Sequence, residues 1–124
     1  IIFNDDEARK RLEEIIHPLV LNRMQTEGSA QESTGKIVVC DIPLLYESGS
    51  DSWLSEVWVV YADPKTQLTR LMERNHIDEA LARQMISAQM PLEEKVRRAD
   101  RVIDNSGSLQ DTLAQVDALW KEIS

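Results

Sequence analysis

The sequence predicts an α/β domain in which helices flank a parallel sheet. Two apolar runs, at residues 37–42 and 56–62, lack the polar alternation of a half-exposed strand, as expected for strands that are covered on both faces. Segments with the apolar spacing of helices stand before these two runs and after them, on both sides of a short third strand. This order is typical of a parallel sheet. With a short third strand at residues 101–104, the sheet has fewer strands than is usual.

The N-terminal segment carries an apolar stripe at helical spacing over residues 4–27. Asn4 or Asp5 is expected to cap this helix. Because proline lacks a backbone donor and disfavours helical geometry in the residue before it, the prediction is two helices that meet at His17-Pro18. A polar loop is expected over residues 28–35, before the first strand.

The second half of the chain is expected to be mostly helical. Helices are predicted over residues 64–75, 78–90 and 91–99, and a last helix over residues 108–123 follows the short strand. Asp78 is the expected cap of the second of these helices.

Composition and charge exclude several classes of protein. The net charge of −8 argues against a domain-wide surface for nucleic acid. No apolar run approaches the roughly 18 residues that cross a bilayer, and no signal segment opens the chain, so a cytoplasmic location is expected. The single cysteine, Cys40, allows no internal disulfide and is expected to be inert core. His17 and His76 have no neighbours at metal-ligand spacing, so no metal site is predicted.

The chain begins with Ile1 and enters an apolar stretch at once. A natural N-terminus more often begins with polar, poorly ordered residues. We therefore expect a piece of a longer protein.

The glycine-rich loop that cradles phosphates in many nucleotide-binding proteins is not found in this sequence. Gly35-Lys36 is its one Gly-Lys pair, but Ala30 and Ile37 stand where the G-x-x-x-x-G-K-[ST] motif needs glycine and a hydroxyl. The pair also precedes a predicted strand, whereas the motif follows one.

Cationic residues concentrate between residues 70 and 101. Arg70 and Arg74 are four apart and share a helix face, so they could clamp a polyanion such as a triphosphate. The alternative is an exposed face that pairs with nearby carboxylates, and the sequence leaves both open. The other cations of this region are Arg83, Lys95, Arg97, Arg98 and Arg101.

Five segments, spread in order over nearly the whole chain, resemble the dephospho-CoA kinase family. They are Phe3-Asn4-Asp5 with His17-Pro18-Leu19, VVCDIPLLYE at 38–47, QLTRLMERN at 67–75, AQMPLEEK at 88–95, and AD with VIDNSGS at 99–108. The resemblance implies the fold of P-loop nucleotide kinases. It also implies transfer of the ATP γ-phosphoryl group to the ribose 3′-hydroxyl of dephospho-CoA, the last step of coenzyme A synthesis. The first strand, the phosphate-binding loop and an acidic residue would precede Ile1, about the first third of a typical member.

The resemblance also implies roles for individual residues. Arg70 matches an arginine that reaches the transferring phosphates, and Asn105 and Gly107 match the loop that holds the adenine of ATP. The positions that match contacts to dephospho-CoA are His17, Pro43, Leu44, Leu45 and, more weakly, Gln89. ATP and Mg²⁺ are the implied cofactors, with the main Mg²⁺ ligands expected in the preceding part. Met85 departs from the family, where many members have a lid arginine, so no such role is carried over.

With this resemblance, the chain is expected to be one domain fragment. Residues 1–35 would form a helical segment on the substrate side, and residues 36–124 a strand-helix core with a helical lid at about 75–98. Its expected partners are dephospho-CoA and ATP, without nucleic acid or membrane, and self-association is left open. The fragment alone is expected to be inactive.

Two other interpretations stay open. One is another nucleoside or small-molecule kinase of the same fold. The other is a non-catalytic α/β interaction domain, in which Arg70, Arg74 and Asn105 would be surface and cap residues. A substrate panel separates the first from a dephospho-CoA kinase, and failure to bind ATP or dephospho-CoA would indicate the second.

Overall fold

A computed structural model describes residues 5–124 of the 124-residue chain. The expectations that fall on Phe3 and Asn4 lie outside the described residues. The chain divides into two compact units at the Ser52–Trp53 bond. A short 3₁₀ helix at Ser50–Trp53 spans this point of the sequence.

The first unit is built on one long helix, α1, over Asp6–Glu32. Asp5 caps it by accepting a hydrogen bond from the Ala8 backbone at 3.0 Å. The predicted break at His17-Pro18 is wrong, because Pro18 lies inside the continuous helix. The apolar stripe keeps its spacing on both sides of Pro18, whose side chain is exposed.

The polar loop predicted over residues 28–35 is also mostly helix. It is shortened to a turn at residues 33–35, which ends at Gly35 with a φ of 80°. The buried Gly28 lies inside α1, where an added Cβ would come within 3.9 Å of Val38. That is an ordinary van der Waals distance, so the space at this position does not require a glycine.

Residues 36–42 are extended but form no strand, which corrects the prediction for residues 37–42. A strand needs a neighbour to receive its backbone hydrogen bonds, and no ladder partner for this segment exists within residues 5–124. Val39 is 79% exposed, so the segment is not covered on both faces either.

The second unit contains a two-stranded parallel sheet of β1 (Trp58–Tyr61) and β2 (Arg101–Asp104). Val59 pairs in register with Val102, and Val60 with Ile103. Val59 and Ile103 are buried, whereas Val60 is 55% and Val102 38% exposed. Because register partners share a face, each face of this sheet is covered over one strand only.

Helices flank this sheet with bounds close to the predicted ones: α2 (Pro64–Asn75), α3 (Glu79–Ser87), α4 (Leu92–Arg98) and α5 (Leu109–Ile123). Asp63, Asp78 and Ser108 cap α2, α3 and α5 through their side-chain oxygens. α4 packs on β1, and α5 packs on β2. The predicted fold class, a parallel sheet flanked by helices, is confirmed. Within residues 5–124, no helix combines the length and the apolar character needed to span a membrane.

Candidate functional site

A cleft of about 410 Å³ opens at the carboxyl edge of the sheet in the second unit, the edge where open parallel sheets bind ligands. Its volume lies within the range of small-molecule pockets. The end of β1, one face of α2, the start of α4 and the residue after β2 line it. The lining residues are Val60, Tyr61, Ala62, Gln67, Arg70, Leu71, Arg74, Leu92 and Asn105.

Arg70 connects α2 to the loop that follows β2. Its Nη1 donates to the Asn105 carbonyl at 2.5 Å, and its Nη2 lies 3.4 Å from the Gly107 carbonyl. The structure thus brings together the three residues predicted for the nucleotide side of the site. A guanidinium has five N–H donors, so these two contacts leave donors for a ligand in the cleft.

Arg70 and Arg74 add positive charge to this cleft. Arg74 donates to the Asn75 side chain at 3.0 Å, and neither arginine pairs with a carboxylate within the described residues. Other cations of the region do pair: Arg83 with Glu79, Arg97 and Arg98 with Glu94, and Arg101 with Glu56 and Glu122. The two cleft arginines are thus available to attract an anion.

Two carboxylates close the turns behind the cleft. Hydrogen bonds from the Thr66 backbone and hydroxyl lower the pKa of Asp63, and its backbone N–H donates to the Ser106 hydroxyl at 2.9 Å. Hydrogen bonds from the Ser106 hydroxyl and backbone lower the pKa of Asp104. The bond from the Asp63 backbone to Ser106 joins the loops that follow the two strands.

The sequence did not point to two residues that hold the β2 end in place. Gln115 accepts from the Asp104 backbone N–H and donates to its carbonyl, both at 2.8 Å. Thr112 donates its hydroxyl to the Asn105 side chain at 2.6 Å. The available signal was their position on α5, four and seven residues after the cap Ser108, where a helix faces back over its own start.

In the first unit, three of the residues predicted for the acceptor substrate share one cavity of about 180 Å³. His17 reaches it from α1, and Pro43 and Leu44 from the segment after residue 42. The other lining residues are Val20, Leu21, Met24, Asp41, Ile42 and Ser48. The imidazole of His17 has no hydrogen-bond partner within residues 5–124, so its nitrogens are free to meet a ligand.

This cavity is smaller than the roughly 300 Å³ of typical ligand pockets, so it can receive only one end of an extended substrate. Leu45 does not line it. The Leu45 carbonyl instead accepts from the Ser48 hydroxyl and the Ser50 backbone in the turn that follows.

Gln89 lies in the second unit, in a cavity of about 500 Å³ between α2, α3 and α4. Its Oε1 lies 3.4 Å from the ammonium group of the buried Lys95. Gln89 is not among the residues that line the 180 Å³ cavity of the first unit. A role in the same pocket stays a prediction.

No group of three histidine, cysteine, aspartate or glutamate side chains that could hold a metal ion occurs within residues 5–124. The described residues therefore offer no carboxylate cage for Mg²⁺.

Known proteins that resemble this chain identify the family to which it belongs. A family model described as dephospho-CoA kinase matches residues 1–111, most of the chain. The chain belongs to the dephospho-CoA kinase family. The cleft lined by Arg70 and Asn105 and the cavity lined by His17 and Leu44 both lie inside the matched residues.

Curated members of the dephospho-CoA kinase family resemble nearly all of this chain. The dephospho-CoA kinases of Geobacillus kaustophilus and Shouchella clausii are 50% and 49% identical to it, each over 98% of the chain. The chain spans only 61% and 62% of the length of these two relatives.

Solved structures agree with the family assignment. The dephospho-CoA kinase of Campylobacter jejuni matches 99% of this chain with a TM-score of 0.69 at 31% identity, and the chain covers 61% of that structure. A crystal structure of a protein from Thermus thermophilus matches 99% of this chain with a TM-score of 0.73 at 31% identity, and the chain covers 63% of that structure.

Proposed function

We propose that the whole protein transfers the γ-phosphoryl group of ATP to the ribose 3′-hydroxyl of dephospho-CoA, the last step of coenzyme A synthesis. Membership of the dephospho-CoA kinase family carries this proposal. The cleft at the sheet edge supports it, because Arg70 and Arg74 supply charge for a polyphosphate there.

The nucleotide side of the reaction is assigned to the cleft of the second unit. Asn105 and Gly107 hold the adenine end, and the donors of Arg70 that remain free stabilise charge on the transferring phosphoryl oxygens. In this transfer, the bond between the γ-phosphorus of ATP and the oxygen that bridges to the β-phosphate breaks, and ADP leaves. A bond forms between the γ-phosphorus and the 3′-oxygen of dephospho-CoA, whose hydroxyl gives up its proton to a base. The proposal assigns no described residue as the proton acceptor. Mg²⁺ accompanies ATP in this class of reaction, but no step or ligand is assigned to it here.

The acceptor side is assigned to the 180 Å³ cavity of the first unit. Pro43 and Leu44 give it apolar walls, and His17 supplies a polar group without another partner in the described chain. Leu45 and Gln89 stay candidates for contacts with dephospho-CoA, although neither lines this cavity. The cavity volume fits one end of that extended molecule.

The activity is assigned to the whole protein and not to these 124 residues by themselves. Phosphoryl transfer depends on positioning and charge stabilisation, and this sequence holds no glycine-rich phosphate loop. We infer that the 124-residue chain alone has no useful kinase activity.

A substrate panel on the whole protein tests the proposed function. With ATP as donor, kcat/KM for dephospho-CoA is expected to exceed that for AMP and other nucleoside monophosphates on the order of 100-fold, because the acceptor site is shaped for the longer molecule. Mass spectrometry and phosphorus NMR of the product locate the new phosphate on the ribose 3′-oxygen. Preference for a monophosphate would indicate another kinase of this fold. Failure to bind either substrate would indicate an interaction domain.

The substitution Leu44→Asp tests the acceptor cavity. A carboxylate placed in this apolar wall is expected to raise KM for dephospho-CoA about tenfold or more, while KM for ATP changes much less. Steady-state kinetics with each substrate varied in turn measure both values. Gln25→Asp is the matched control, because Gln25 is an exposed polar residue of α1 and does not line the cavity. Equal changes in both KM values would indicate general damage and contradict the assignment.

A further inference from the structure

The polar groups of Asn105 are almost all engaged by its neighbours. Its backbone N–H donates to the Tyr61 carbonyl at 2.6 Å, and its carbonyl accepts from Arg70 at 2.5 Å. Its side-chain Oδ1 accepts from the Thr112 hydroxyl at 2.6 Å. The amide Nδ2 has no partner within residues 5–124, and Asn105 lines the 410 Å³ cleft. Nδ2 is therefore the donor that this residue offers to a ligand.

Thr112 decides which end of the carboxamide is free. Its hydroxyl has a single proton and two acceptors within reach, Asn105 Oδ1 at 2.6 Å and the Ser108 carbonyl at 3.3 Å. A separation of 2.6 Å is that of a good O–H···O bond, whereas 3.3 Å is long for one. In the flipped orientation, Nδ2 would donate to the Thr112 oxygen and the hydroxyl proton would have only the long bond to the Ser108 carbonyl. The separation of 2.6 Å is also short for an N–H···O bond, so the hydroxyl favours the orientation in which it donates to Oδ1.

We propose that Thr112 is a positioning residue that sets the base specificity of the nucleotide site. It acts through Asn105, since a fixed Nδ2 donates only to a ligand acceptor, such as a ring nitrogen of a purine. Without the hydroxyl, the carboxamide can turn over and offer either its oxygen or its nitrogen, so the site loses its preference for an acceptor at that point. This inference rests on the proposed function, because it requires that the cleft binds the adenine of ATP.

The substitution Thr112→Val, made in the whole protein, tests this role because valine keeps the shape of threonine without its hydroxyl. Wild type and variant are compared with ATP and with three analogues in which a C–H replaces ring nitrogen N1, N3 or N7. In the wild type, one of the three analogues is expected to raise KM about tenfold. In Thr112→Val, KM for ATP itself is expected to rise by a similar factor. KM for that analogue is then expected to differ from KM for ATP by less than about twofold, and kcat is expected to change little.

Two control variants separate this effect from simple loss of structure. Thr112→Ser keeps the hydroxyl and is expected to restore the wild-type preference between ATP and the analogues. Thr69→Val makes the same change on the exposed side of α2 and is expected to change neither KM nor the preference. Thr112→Ala removes the same hydroxyl without added bulk and serves if the valine variant does not fold.

The possible outcomes distinguish the inference from the proposed function. A wild-type protein that uses ATP and all three analogues equally well overturns the inference, and so does a Thr112→Val variant that keeps the wild-type preference. An equal rise in KM for ATP and every analogue also overturns it, because that is the result of a merely structural role. A wild-type protein that does not bind ATP at all contradicts the proposed function itself.

Discussion

Replacing Arg70 with lysine in the whole protein is expected to lower kcat about 100-fold, the typical cost of removing one donor that stabilises transition-state charge. Lysine keeps the charge but loses the planar set of donors that lets Arg70 hold two loop carbonyls and still face the cleft. The bonds from the charged guanidinium to the two loop carbonyls exist before and during the transfer, so their loss raises KM for ATP, whereas lost stabilisation of the transferring phosphoryl oxygens lowers kcat. Steady-state kinetics with ATP varied at saturating dephospho-CoA measure both constants.

Arg23→Lys is the matched control for this substitution. Arg23 is exposed on α1, where it pairs with Glu27 at 2.9 Å and lines no cavity. It is expected to leave both constants unchanged. A raised KM with unchanged kcat in Arg70→Lys would limit Arg70 to holding the loop. If neither constant changed, Arg70 would be a surface residue, as in the interpretation of the chain as an interaction domain.

The sequence predicted the second unit well because its helix starts are encoded locally. The side chains of Asp63, Asp78 and Ser108 each accept a hydrogen bond from the backbone N–H three residues further along the chain. Aspartate and serine are preferred at the start of a helix, so such positions can be recognised in the sequence. The end predicted for α2, at residue 75, is confirmed, and His76 follows it with a left-handed φ of 52°.

The first unit was predicted less well, because its structure differs from what the local sequence signals favour at two places. A proline inside a helix costs about 3 kcal/mol, and local reasoning therefore ends the helix at Pro18. The structure nevertheless continues α1 through Pro18, although the apolar stripe of the helix stays largely exposed within the described residues. The apolar run at residues 37–42 has the composition of a strand, but composition does not supply a neighbour to pair with.

The candidate site shows the same division. Spacing alone placed Arg70 and Arg74 on one helix face, and both line the same cleft. The bond from Thr112 to Asn105 joins side chains seven residues apart across a turn, and its existence depends on the path of the backbone between them. No spacing rule encodes such a path, so this contact required the structure.

The apolar side chains that remain exposed lead to the last prediction. Within the described residues, the buried apolar residues are Tyr46, Val59, Ala82 and Ile103. By contrast, Ile15, Leu19 and Val39 are each more than three-fifths exposed, and each face of the β1–β2 sheet is half uncovered. Burying one such side chain is worth about 1.5–3 kcal/mol, a large share of the stability of an ordinary domain.

The 124-residue chain, produced by itself, is therefore expected to self-associate or to unfold below the 45–65 °C at which ordinary domains typically melt. Sedimentation velocity over a range of concentrations measures the association, calorimetry measures the melting, and an assay of the same sample with ATP and dephospho-CoA is expected to show no turnover. Leu19→Lys should shift the chain toward the monomer, because it places a charge on the exposed apolar face of α1. Gln25→Lys adds the same charge at an exposed polar position of that helix and should not. A cooperative monomer of ordinary stability would contradict the prediction, since the exposed faces of α1 and of the sheet would then need no further cover.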